Sequence, residues 1–69
     1  MERQTFNHIR AELRTSVGVY RTAEQIAADT GLSKKTMRRY LNYFISMGEV
    51  ESQMDDSTGG RPRIEYQNR

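Results

Sequence analysis

Two helix-start signals stand close together in the middle of the chain, and they leave room for little except two short helices packed on something else. In "TAEQIAADTGLSKKT", Thr22 is followed three positions later by Gln25, the reciprocal pairing of a capping box. Gly31 can take the left-handed conformation that ends a helix. Ser33 then opens a second helix, because its side-chain oxygen can accept a free N–H of the first turn. Only Gly31 and Leu32 separate the two segments. A turn that tight, with Gly in it and an apolar residue after it, is the sequence form of a helix-turn-helix. The first of these helices, from about residue 23 to 30, is too short to be stable alone, so the rest of the chain must pack against it.

The flanks supply that packing. From residue 4 to about 15, Phe6, Ile9 and Leu13 recur at steps of three and four while Arg10, Glu12 and Arg14 point mostly outward, which predicts an amphipathic helix. Gly18 follows, and the shapes of Val19 and Tyr20 predict a turn and a very short strand there. The helix opened by Ser33 is predicted over 34–47. Met37, Tyr40, Leu41 and Phe44 fall on its inner side, Ile45 and Met47 at the margins, and Lys35, Arg38, Arg39, Asn42 and Ser46 on the outer side. After Gly48, "EVESQM" alternates with Val50 and Met54 on one face, and "RIEY" puts Ile64 and Tyr66 on one face. The intervening "DDSTGGRP" is turn chemistry throughout, so a hairpin is predicted over about 50–66. The terminal "QNR" has nothing to bury and is expected to fray.

With 69 residues, 35% of them hydrophobic, the chain makes one domain and no second core. A chain of this size buries only about 60% of the surface its unfolded form exposes, which argues against a deep catalytic pocket. The expectation is an α+β fold over residues 1–69, a three-helix core closed by a small antiparallel β-hairpin. That is a winged helix-turn-helix.

Charge indicates what such a fold is for. The formal net charge is only +2, but its distribution is uneven. Between Leu32 and Met47 lie Lys34, Lys35, Arg38 and Arg39 with no acid among them, and this segregation makes a local positive field. Duplex DNA presents a phosphate charge about every 1.7 Å of axis, and neutralising phosphates releases condensed counterions. Its major groove admits a helix, where Arg or Lys bonds guanine O6 and N7 and Asn pairs with adenine. Recognition helices read bases mostly from their N-terminal half. Lys34, Lys35, Thr36 and Arg38 are therefore expected near base edges, and Arg39 and Asn42 near phosphates. Ser33 and the free N–H groups at the helix start could meet a phosphate too. Arg61 and Arg63 flank Pro62 in the wing, where an Arg could enter a minor groove.

"TAEQIAADTGLSKKTMRRYLNYFISMGEV" followed by "GGRPRIEY" resembles the DNA-binding domain of the citrate and dicarboxylate family of two-component response regulators. The likeness runs from about Val19 to Tyr66. It rests on Ser33, Thr36, Arg38, Arg39, Tyr40 and Leu41 in the third helix and on Gly60, Arg61, Pro62 and Tyr66 in the hairpin. The helix pattern occurs widely in winged-helix regulators, and the hairpin pattern is more selective. The resemblance implies a transcriptional regulator with its third helix in the major groove and a wing, residues 55–63, on the backbone or minor groove. It also implies a receiver domain, so these residues are expected to be an excised output domain or a small stand-alone regulator or phage protein sharing the motif. Winged-helix regulators commonly bind paired half-sites as homodimers.

Other readings have less behind them. A protein-interaction module docking its basic third helix on an acidic protein surface would normally expose apolar or aromatic anchors outward, and the outward face here is Lys, Arg and Asn. RNA binding predicts exposed aromatics on a sheet face. Asp55 and Asp56 are adjacent in a loop and lack the positioning a catalytic pair needs. Gly59 and Gly60 lack a following GK[ST]. His8 has no metal-ligating partner in the sequence and is expected on the surface. Catalysis, a metal and a cofactor are accordingly not expected. With no Cys and no stretch of about 20 apolar residues, a cytoplasmic location is the expectation.

Overall fold

A computed structural model of the chain describes residues 2–56 and 62–69. The elements run α1 (Arg3–Arg14), β1 (Arg21–Thr22), α2 (Ala23–Thr30), α3 (Lys34–Ser46), β2 (Val50–Asp55) and β3 (Arg63–Asn68). The strands form one antiparallel sheet in the order β1-β3-β2, so β3 is central although it is last in the chain.

Local chemistry places the helix boundaries. Thr22 Oγ1 accepts the Gln25 N–H at 3.2 Å while Gln25 Oε1 accepts the Thr22 N–H at 3.0 Å, a complete capping box. Such a cap contributes about 1 kcal/mol, which matters for a helix of 8 residues. Gly31 ends α2 at φ 76°, a left-handed conformation that a residue with a Cβ adopts only under strain. Its successor Leu32 donates its N–H to Ala27 O at 3.1 Å. Ser33 Oγ accepts the Thr36 N–H at 3.1 Å and so starts α3.

The three helices and the base of the sheet enclose one core: Ile9 and Leu13 from α1, Ala23, Ile26 and Ala27 from α2, Met37, Tyr40, Leu41 and Phe44 from α3, and Val50 and Tyr66 from the sheet. Phe6 stacks on Phe44 with ring centroids 4.7 Å apart and meets Tyr43 edge-on at 5.7 Å. The Arg10 guanidinium lies 4.6 Å over the Phe6 ring and bonds Glu49 at 2.6 Å, so it covers the open side of that aromatic cluster. Arg21 is the deepest cation of the ion pairs, its side chain 14% exposed, and it bonds Glu12 of α1 and Asp29 of α2, each at 3.1 Å. These pairs tie α1, β1 and α2 together.

Three details differ from the sequence expectation. The first strand forms at Arg21–Thr22 and not at Val19–Tyr20, because pairing with Tyr66 and Glu65 of β3 decides it, and Val19 is left exposed. Met54 and Ile64 face each other across the hairpin and lie on the same face as the buried Val50 and Tyr66, yet they are 65% and 45% exposed. The hairpin outruns the helical core, so only its base has anything to pack on. The end of the chain does not fray. Gln67 and Asn68 pair with Glu51 and Val50, and the Arg69 N–H donates to Glu49 O at 2.9 Å. His8 is exposed, as expected, and its Nε2 donates to the carbonyl of Thr30 at 3.0 Å, meeting the end of α2. Three helices with a three-stranded antiparallel sheet in this order are a winged helix-turn-helix.

Candidate nucleic-acid interface

α3 presents its two faces by simple periodicity. At about 100° per residue, Phe44 points into the core and Lys35, Arg38, Arg39 and Asn42 fall within an arc of about 100° on the opposite side. All four are exposed. Their hydrophobic neighbours Met37, Tyr40, Leu41 and Phe44 are buried, so the helix is fixed to the domain by one face and offers the other.

The rest of the expected site divides in three. Ser33 is exposed but committed to α3, since its oxygen accepts the Thr36 N–H and its hydroxyl donates to Thr36 Oγ1 at 2.9 Å. Thr36 is half-buried at one margin of the arc and keeps its own hydroxyl proton for another acceptor. Thr36 and Met37 direct their N–H groups to Ser33, which leaves the N–H groups of Lys34 and Lys35 at the open start of the helix. Lys34 lies outside the arc, on the side towards α2. Its Nζ is 2.6 Å from Glu24 Oε1, so the cationic run that carries no acid in sequence receives one in space. In the wing, Arg63 is exposed and in register with Asp55, while Arg61 lies outside the described residues.

Among the described residues Arg10, Arg21, Lys34 and Arg69 have carboxylate partners, whereas no ion pair involves Lys35, Arg38 or Arg39. Away from the arc, the outer face of the sheet is a polar ladder in which Glu51 bonds Gln67 and Tyr20, and Gln53 bonds Glu65. Burial and the Glu51 carboxylate raise the Tyr20 phenol above its ordinary range. Among the described residues no group of three or more His, Cys, Asp or Glu is placed to hold a metal ion.

A groove of about 380 Å³ separates the start of α2 and α3 from β3. Glu24, Lys34, Arg38, Arg63, Ile64 and Tyr66 are among its lining residues. Glu24 is the residue that sequence reasoning missed. The hydrogen bond and charge of Lys34 hold its carboxyl below the usual carboxylate range, with smaller contributions from Arg38 and Arg63. No periodicity pointed to it, because the angle at which α2 crosses α3 brings Glu24 to Lys34.

No protein-family model matches the chain. A probable C4-dicarboxylate response regulator, DctR, of Halalkalibacterium halodurans is 46% identical over 46 residues, which are 67% of this chain and 20% of that protein. The chain is similar to part of a response regulator. This bears out the resemblance read from the third helix and the hairpin. The chain spans about a fifth of the length of that relative. A possible transcriptional regulator from Methanosarcina mazei superposes with a TM-score of 0.80, covering 100% of this chain and 57% of that one. At 12% identity this likeness speaks for the fold alone. No helix among the described residues is long and apolar enough to cross a membrane.

Proposed function

We propose that this chain is the duplex-DNA-binding output domain of a transcriptional regulator, with α3 in the major groove and the wing on the backbone or minor groove. The observation that carries the reading is the arc of Lys35, Arg38, Arg39 and Asn42, exposed and without carboxylate partners among the described residues, on a helix whose opposite face is core. Arg10, Arg21, Lys34 and Arg69 pair with carboxylates, whereas the arc on α3 keeps its positive field where a helix meets phosphates. At a length of roughly 20 Å, α3 fits a groove about 12 Å wide with its first half reaching base edges.

In this reading Lys35 and Arg38 read bases with Thr36 at the edge of the contact, and Arg39 and Asn42 hold phosphates further along the helix. The free N–H groups of Lys34 and Lys35 face a phosphate at the helix start. The capping role of Ser33 makes it a support for that site more than a contact. Arg63 and Arg61 serve the wing. Two copies on paired half-sites and a receiver domain in a longer protein complete the proposal, the latter because the Halalkalibacterium relative is a probable response regulator.

Fluorescence anisotropy with a labelled random duplex over a range of salt tests it. Each phosphate contact contributes about 0.9 to the slope of log K against log salt, so three contacts weaken binding roughly fortyfold between about 50 and 200 mM. A complex of the same strength at both salt concentrations, or none at the lower one, contradicts the reading.

A further inference from the structure

We propose that Glu24 is a positioning residue that turns Lys34 from a phosphate anchor into a reader of base edges, and so sets how well the domain tells its operator from random duplex. This rests on the DNA-binding reading above. An acid at the groove between α2, α3 and the wing is out of place on electrostatic grounds, since the other charged side chains lining it, Lys34, Arg38 and Arg63, are all cationic. A carboxylate among them weakens attraction for every phosphate. Its position in the first turn of α2 complements the helix dipole, but that role asks for a carboxylate only and not for Lys34.

The geometry of the pair suggests the second role. Lys34 leans off the outward arc towards α2, and its Nζ sits 2.6 Å from Glu24 Oε1 in an accessible position, the two side chains being 47% and 69% exposed. An ammonium has three donors. With one held by Glu24, two remain for acceptors such as guanine O6 and N7. A lysine released from that contact swings on a flexible four-carbon stem and finds phosphates, which position a protein without carrying sequence information. Glu24 thereby removes one indiscriminate contact and holds one discriminating donor in place.

The test is Glu24→Gln, measured on a site selected from a random duplex pool and on random duplex. The variant is expected to bind random duplex about three- to tenfold more tightly at low salt, with a slope steeper by about 0.9. Its gain on the selected site is smaller, so the specificity ratio falls. Adding Lys34→Met to Glu24→Gln returns the slope to the wild-type value, because the effect passes through Lys34. An unchanged slope in Glu24→Gln, or a steeper slope that survives Lys34→Met, overturns the proposal while the DNA-binding reading stands. Wild-type protein that binds neither duplex overturns the reading first and the proposal with it.

Discussion

Phe44→Ala is expected to lower the free energy of unfolding by about 3–5 kcal/mol. The ring is 1% exposed and stacks on Phe6, so truncation opens a cavity where α1 and α3 meet. A chain of this size has roughly 3–10 kcal/mol of stability in total, so the variant sits near the folding threshold at room temperature. Urea denaturation followed by circular dichroism checks this. A loss below about 1 kcal/mol, well under the range for a buried aromatic, means that Phe44 does not hold the two helices together. The loss has a functional counterpart, because the residue that fixes the inner face of α3 also keeps its cations in one arc.

Arg38→Ala leaves the fold alone and acts on binding. Arg38 is exposed, lies in the N-terminal half of α3, has no ion pair among the described residues and lines the groove towards the wing. On a selected site the substitution is expected to cost about 1–3 kcal/mol and to relax the preference at one base pair. Repeating the selection with the variant shows both effects. Equal weakening on selected and random duplex makes Arg38 a phosphate contact and moves the base-reading role elsewhere on the helix.

The parts of this molecule that were legible in sequence are those governed by neighbours in the chain. Thr22 with Gln25, Gly31 and Ser33 mark helix ends because their hydrogen bonds and dihedral angles are local. The division of α3 into Met37, Tyr40, Leu41 and Phe44 against Lys35, Arg38, Arg39 and Asn42 follows from helical period alone. What was not legible depends on partners distant in sequence. β-Branched Val19 and aromatic Tyr20 favour a strand, yet register with Tyr66 and Glu65 makes Arg21 and Thr22 the paired residues. Alternation places Met54 with Val50 on one face and is silent on how far the core extends beneath that face. The sequence interval around Lys34 contains no acid, and Glu24 reaches it across a helix crossing. The candidate site was therefore legible as a set of cations, but not in how one of them is already held.

The central claim, that one face of α3 together with the wing meets duplex DNA, is tested most directly by backbone amide chemical-shift mapping during titration of the chain with a selected duplex. The expected result is perturbation concentrated from Ser33 to Asn42 and at Arg63, with the outer face of the sheet around Glu51 and Gln53 unaffected. Shifts centred on that sheet face, or on α1, with Lys35, Arg38 and Arg39 unmoved, contradict it.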